Sequence, residues 1–513
     1  MASNTYESKA PLTLSESGSS SPTASAAPKA VDSALTYLRD HEGKADIAIA
    51  QDAAFLQALR RKIDWRIIPF MCLCYTMQFI DKVAINYAAV MGLRKDAKLV
   101  GNNFSNAASA FFIACLVAAV PNVFLLQKLP TAKWLGFNVF CWGITTACTG
   151  AVHNYGGLLT TRILSGVFEC AVAPSLMLLS SQWYTKKEQA SRFAFWYVGL
   201  GLGQIFGGLL SYAFQHVKHG SLEGWRILFI VLGVVSSLIG VGTFFGVPDT
   251  PMKAYFLSES EKVVLLEHVK VNKTGIDNKQ FNFKQIFESL IDVQLWFLAF
   301  IVILQSVSSG VITSYSATLI RSFGYSPTHS ALLNMPSGAV SIFFTLLVGF
   351  GVRITGHRWA WIAFCSIPAI IGGALMSFLP HGHRGGLLAG NYLVNAIVAP
   401  LPIIYQWIAA NCAGQTKRAF ASAIISASFS VGNIIGPQTF QAKDAPQYKP
   451  AKIALIATQA AAMFLTILLF FYYIWANKSR ASLTLSETQK DTSIQEAWDG
   501  KTDKENKSFR YEY

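Results

Sequence analysis

Residues 155–184 read YGGLLTTRILSGVFECAVAPSLMLLSSQWY, an apolar run long enough to cross a bilayer that still carries Arg162 and Glu169 well inside its ends. A spanning helix needs about 20 residues at about 1.5 Å each. An ionised side chain near its centre costs about 2.5–3.5 kcal/mol on insertion scales, so both charges must be offset inside the protein. Seven residues at about 100° each make two turns less about 20°, which places Arg162 and Glu169 on one helix face about 10 Å apart. Ser165 and Gly166 lie near the same stripe, where small side chains admit a neighbouring helix or a ligand. That face looks into the protein or an aqueous cavity. An ion pair that only locks packing would satisfy it; intramembrane charges more often mark a substrate or ion pathway.

The whole chain shares this character. Of 513 residues 52% are hydrophobic and only 14% charged, with a mean hydropathy of +0.38, which excludes a soluble protein of this length. The formal net charge of +14 would suit nucleic acid, but the basic residues are scattered through loops and tails between apolar runs. A lipid bilayer accounts for that pattern and no nucleic-acid partner is expected. The eight cysteines fall within or beside apolar runs and read as free thiols; Cys72 and Cys74, two apart, face different ways. No metal site and no cofactor is expected.

Residues 1–62, rich in Ser, Ala, Thr, Pro and Lys, read as a disordered tail without a signal peptide. Residues 63–248 hold six spans, near 67–90, 103–126, 135–152, 155–184, 193–214 and 225–247. In the fifth, Gly199, Gly203 and Gly207 recur every four residues as a packing stripe, and Gln204 is its one strongly polar side chain. Residues 249–290 form a long polar linker in which Ser258 and Glu261 make a capping box opening an amphipathic helix. Six further spans fill 291–477, near 295–320, 329–350, 359–379, 385–410, 419–439 and 453–476, and residues 478–513 read as a second disordered tail. The expected fold is an all-α integral membrane protein with 12 transmembrane helices in two six-helix bundles, the duplicated plan of a secondary transporter. Roughly nine basic residues on one side face about ten on the other in the short loops, which decides nothing; the flanks of the first span, the linker, Lys478 and Arg480 put both termini in the cytoplasm.

Heights can then be compared. By helix rise Arg162 lies about 9 Å below the outer end of its span, Glu169 about 20 Å, and Asp81 of the first span about 15 Å. If the two helices are neighbours, Asp81, Arg162 and Glu169 form one acid–base–acid cluster in which Arg162 can hold a carboxylate and the acids can exchange protons. Lys82, adjacent to Asp81, points elsewhere and pairs with another helix.

IDKVAINYA (80–88), RILSGVFECAVAPS (162–175), GWRILFIVLGV (224–234) with the later PDTP (248–251), ANCAGQTKRAFASA (410–423), and VGNIIGP (431–437) followed by DAPQY (444–448) carry a resemblance. Over residues 55–475 the chain resembles the fungal allantoate permease group, in the anion:cation symporters of the major facilitator superfamily. The resemblance implies the major facilitator fold and proton-coupled uptake of a small organic anion, such as allantoate, nicotinate or pantothenate, at the plasma membrane. It also implies that Asp81 and Glu169 serve proton coupling and that Arg162 binds substrate. The chain departs from the superfamily's Gly-rich Asp–Arg loop after the second span, where QKLPTAKW (127–134) stands. The second-half counterpart GFGVRITGHRW (349–359) keeps Arg353 and Arg358, which join Lys82 as gating or structural residues.

Tyr315, Asn433 and Gln204 complete the expected substrate site; Asn391, Asn395 and Gln406 are weaker candidates, and each could equally bond a neighbouring helix. The sequons at Asn272, Asn477 and Asn506 face the cytosol and read as chance matches. A membrane enzyme would need a nucleophile, metal cluster or His-centred site, whereas the nine histidines lie mostly in loops without ligand spacing, so no enzyme is expected. A nutrient receptor on a transporter scaffold and a proton-antiport exporter stay open as alternatives, and a monomer is expected.

Overall fold

The computed structural model describes residues 53–217, 222–270, 283–380, 382–413, 415–445, 447–484, 502–505 and 509–513. Most of the expected N-terminal tail, the middle of the linker and residues 485–501 lie outside the described residues, as do the sequons at Asn272 and Asn506. Regular structure among the described residues is helical throughout. The first half holds α1 (Ala53–Met91), α2 (Asn103–Lys128), α3 (Thr131–Thr149), α4 (Tyr155–Glu169 and Val172–Trp183), α5 (Lys186–Tyr197 and Gly199–Gln215) and α6 (Gly224–Gly246). The second half holds α7 (Val293–Ser322), α8 (Pro327–Thr355), α9 (Arg358–Phe378), α10 (Arg384–Val394 and Pro400–Asn411 around a 3-10 turn, Asn395–Val398), α11 (Gln415–Gln438) and α12 (Lys449–Thr484). Eleven of these are long and apolar enough to cross a membrane. The other, α3, has 19 residues, and its polar Asn138, Thr145, Thr146 and Thr149 are buried against neighbours rather than shown to lipid.

Two spans break where proline removes a backbone donor. Pro174 cannot return a hydrogen bond to the carbonyl of Cys170, and α4 breaks just after Glu169. Pro400 and Pro402 do the same to Ala396 and Val398, and α10 passes through its 3-10 turn there. Broken helices at mid-membrane are tolerated only where they are buried in protein or line a cavity.

The halves meet along α1–α7, α2–α11 and α5–α8. The glycine stripe of α5 is architecture, as its spacing predicts: Gly199, Gly203 and Gly207 lie against Thr76, Phe79 and Tyr87 of α1, while Gly201 and Gly208 meet α8. At the end away from the termini the halves are sealed. Asn86 donates to Ser316 Oγ at 2.9 Å and accepts from the Ala317 amide at 3.1 Å; Ser105 meets the Tyr315 hydroxyl at 2.5 Å; Gln438 Nε2 donates to Asn106 and Ser109. At the end carrying the termini, the linker helix Glu259–Lys270 opens on the expected capping box, with the Glu261 amide donating to Ser258 Oγ and the Ser258 amide to Glu261 Oε2.

The C-terminal segment departs from the expectation of disorder. Helix α12 runs on to Thr484, and Thr502–Glu505 and Phe509–Tyr513 pack on the second half, with Asp503 fully buried and Tyr511 4% exposed. Charged sequence there does not mean solvated sequence, because the bundle presents Lys417 and Arg480 as partners.

Helices α3 and α6 cross closely: a Cβ on Gly143 would come within 2.4 Å of Ser237 Oγ and 2.7 Å of the Gly233 carbonyl. Gly143→Leu is therefore expected to destabilise the protein by about 1–3 kcal/mol or more, read as a lower melting temperature in a thiol-independent thermal-shift assay. Gly349→Ala, whose Cβ meets nothing within 4 Å, should leave the melting temperature within a degree or so of the parent's. Equal losses in both variants would remove the close-packed α3–α6 crossing from the account.

Candidate functional site

Tyr75, Gln78 and Lys82 follow one another at three and four residues on α1, a single helix face, and all three line a chamber between the halves. The chamber and its opening take in about 800 Å³ of space, with Gln305, Ser309 and Thr313 of α7, Asn395 of α10 and Asn433 of α11 on the other wall. It widens into a space of about 1640 Å³ bordered by Glu169, Met177, Trp196, Tyr405 and Phe420, so its mouth lies between α4–α5 and α10–α11 at the end carrying the termini. Both proline breaks, in α4 and α10, border this space.

The four intramembrane charges pair differently from the single cluster the heights suggest. Lys82 Nζ lies 3.0 Å from Glu169 Oε1. Asp81 instead pairs with Arg162, Nη1 to Oδ2 at 3.7 Å. Asp81 and Lys82 are neighbours in sequence and so about 100° apart on α1: one addresses α3 and α4, the other the chamber. The long Lys82 stem reaches back along the chamber wall to the last residue of the first α4 segment, a reach that heights measured at Cα do not capture. Lys82 thus pairs with the Arg162 helix itself, not with another one.

Asp81 is anchored on three sides, accepting from Thr146 Oγ1 at 3.0 Å and Trp142 Nε1 at 3.3 Å besides facing Arg162. Arg162 is 2% exposed, lies 5.6 Å over the ring of Phe229, and keeps Nε and Nη2 without hydrogen-bond partners. It borders only a small gap of about 290 Å³ beyond Lys82, shared with Phe111, Thr313 and Ser314. The cation on the chamber wall is Lys82, its side chain 19% exposed, opposite Glu169 at 1%.

The other expected site residues divide. Asn433 lines the chamber; its Nδ2 donates to the Phe429 carbonyl and its buried Oδ1 has no partner. Tyr315 stands in the far seal, stacked on Phe440 at 4.3 Å, and Gln204 lies buried where α5 meets Gly338 of α8, so neither borders the chamber. Arg353 is exposed, and Arg358 binds Glu512 at 2.6 Å. Sequence reasoning passed over Gln78, Gln305, Trp142 and Thr146. Gln305, whose buried Nε2 has no partner, could have been found as the strongly polar side chain in the middle of the seventh span. Trp142 and Thr146 carry no such signal, because a buried indole or hydroxyl in a span is ordinary until its partner is known. No group of three His, Cys, Asp or Glu side chains among the described residues could hold a metal ion.

Three comparisons bear on this geometry. The family profile of the Major Facilitator Superfamily matches residues 71–437. Among curated proteins, the chain is 36% identical to the thiamine pathway transporter THI73 of Saccharomyces cerevisiae, over 88% of this chain and 86% of that one. It is 30% identical to the allantoate permease of the same yeast, over 93% and 91%. Among solved structures, the inward open conformation of the xylose transporter XylE from E. coli aligns with a TM-score of 0.60 at 15% identity, over 78% of this chain and 95% of that one. A bacterial homolog to the human lysosomal transporter Spinster aligns with a TM-score of 0.58 at 17% identity, over 78% and 94%. Twelve long helices among the described residues, eleven of them apolar enough to cross a membrane, surround a central chamber, and the match of this profile along most of their length makes the chain a member of the major facilitator superfamily of membrane transporters.

Proposed function

We propose that the chain imports a small organic carboxylate together with a proton by alternating access, with Lys82 anchoring the carboxylate and Glu169 carrying the proton. One observation supports this most: among the described residues lining the chamber and its mouth, Lys82 and Glu169 are the only oppositely charged pair. A carboxylate entering the chamber competes with Glu169 for Lys82. The displaced Glu169 would be a buried carboxylate without a counter-ion, and a proton from the open side removes that cost. The chamber then carries the same net charge loaded as empty, which is what movement through an apolar bundle requires. Asn433 Oδ1 and Gln305 Nε2, buried and unpartnered, suit the neutral polar groups of such a cargo.

Asp81 holds Arg162, which borders the gap beyond Lys82 and supplies a second cation near the bound carboxylate. The name of the allantoate permease relative fits an anionic cargo. A cationic cargo would meet Lys82 first, with Glu169 already engaged. The basic residues around the start of α1 and in the linker favour termini in the cytoplasm; the chamber would then be open inward.

Uptake of a labelled carboxylate at two external pH values tests the reading. Lys82→Met leaves Glu169 without its cation and is expected to lower kcat/KM about a hundredfold, with partial recovery in Lys82→Arg. Undiminished uptake by Lys82→Met would take Lys82 out of the site. Glu169→Gln stays permanently neutral. It should abolish accumulation driven by an inward proton gradient while substrate-for-substrate exchange persists. Accumulation with the parent's pH dependence in that variant would overturn the proton role of Glu169. For orientation, a protease site placed in the linker should be cut only after the cells are permeabilised; cleavage in intact cells would invert the topology.

A further inference from the structure

Each half is followed by a polar segment, and the two segments dock on equivalent helices. After α6, the linker helix Glu259–Lys270 reaches the start of α1, Lys62 Nζ to Glu261 Oε2 at 2.8 Å, and the start of α5, His268 Nε2 to Glu188 Oε1 at 3.1 Å. Beside these contacts Asp64 of α1 binds Arg192 of α5 at 2.8 Å. In the second half α7 stands where α1 does in the first, and α11 where α5 does. Asp292, immediately before α7, binds Lys417 in the first turn of α11 at 2.7 Å, and Asp503, beyond α12, binds the same Lys417 at 2.7 Å.

Three side chains of this cluster, Lys417, Asp292 and Asp503, are fully buried. A cation in the first turn of a helix opposes the helix dipole, so Lys417 is tolerable only among carboxylates, and Glu288 adds a third at 2.8 Å. The segment beyond Asp503 is bound through its backbone as well as its side chains. Tyr511 donates its hydroxyl to Asp503 at 2.9 Å, Asn477 of α12 takes the Tyr511 amide and donates to its carbonyl, and Trp407 and Asn411 of α10 donate to the Glu512 carbonyl. Trp407 and Asn411 lie toward the end of α10 and Lys417 at the start of α11, the two helices whose Leu401, Tyr405, Phe420 and Ile424 form the second-half wall of the mouth.

We propose that Thr502–Glu505 and Phe509–Tyr513 form a built-in strap that pins the α10–α11 end to the rest of the second half and so positions that wall. It is the counterpart of the linker helix under the first half. The strap's role in positioning the mouth rests on the transport reading; its docking does not.

Cys412, at the end of α10, reports docking: it is 1% exposed and belongs to the buried cluster that contains Tyr511. In the full-length protein with Asp503→Asn and Tyr511→Ala together, maleimide labelling of Cys412, read peptide by peptide in a mass spectrometer, should quicken about tenfold. Labelling of Cys365, fully buried in α9 of the same half, should not change. A synthetic peptide of residues 502–513 should restore Cys412 protection. Cys170, across the mouth on α4, should change its rate about threefold because the wall facing it has moved. An unchanged Cys412 rate, protection that the peptide does not restore, or a parallel rise at Cys365 would overturn the strap, and an unchanged Cys170 rate its positioning role. No substrate enters this experiment, so its failure leaves the transport reading standing, and a failed uptake assay leaves the strap standing.

Discussion

Charge taken out of water governs this molecule. Asp81, Arg162 and Glu169 are each at most 2% exposed inside an apolar bundle, and none is bearable there unless a partner answers it. The answer comes from helices far apart in sequence, so the pairs also fix which spans are neighbours. Trp142 and Thr146 of α3, together with Arg162 of α4, converge on one carboxylate of α1. That shell leaves Asp81 little freedom. Lys82 and Glu169, by contrast, have open space on one side, and only a pair with such space can exchange its partner for a cargo.

The broken helices serve the same end. A continuous α4 would run its backbone past Glu169 without interruption; the break after Glu169 leaves the carboxyl at a helix end, bordering the mouth with Cys170, Ala173 and Pro174. In α10 the 3-10 turn brings Asn395, Ile397 and Val398 to the chamber, and the Tyr197 hydroxyl of α5 donates to the Val398 carbonyl at 3.1 Å, a backbone group made available by that turn. Prolines that look like flaws in a membrane helix thus mark the levels at which backbone atoms meet the other half.

Much of this was legible in the residues. The spans follow from hydropathy because lipid leaves the backbone no other choice, and Asp81, Lys82, Arg162 and Glu169 stand out because apolar runs have no cheap way to carry charge. The stripe of Gly199, Gly203 and Gly207 was readable as packing for a similar reason: nothing but close approach needs glycine every four residues. The pairing was not legible. Rise per residue places Cα atoms, whereas Lys82 and Arg162 deliver charge several ångströms from theirs, and which acid each meets depends on helix rotation. Tyr315 shows the other limit, since a phenol in a span bonds a neighbouring helix or a ligand equally well, and here it bonds Ser105. The C-terminal residues were misread because composition reports what a segment could do in water, and Asp503 is not in water.

The far seal differs in kind from the contacts beneath the two halves. Its bonds run between amides and hydroxyls, Asn86 to Ser316, Ser105 to Tyr315 and Gln438 to Asn106, with the rings of Tyr315 and Phe440 stacked and Arg94 lying over Tyr315. Bonds between uncharged amide and hydroxyl partners are little screened by salt. The amide and hydroxyl bonds of the far seal therefore hold across a wide range of ionic strength, and they part by a change of geometry, not by a loss of charge.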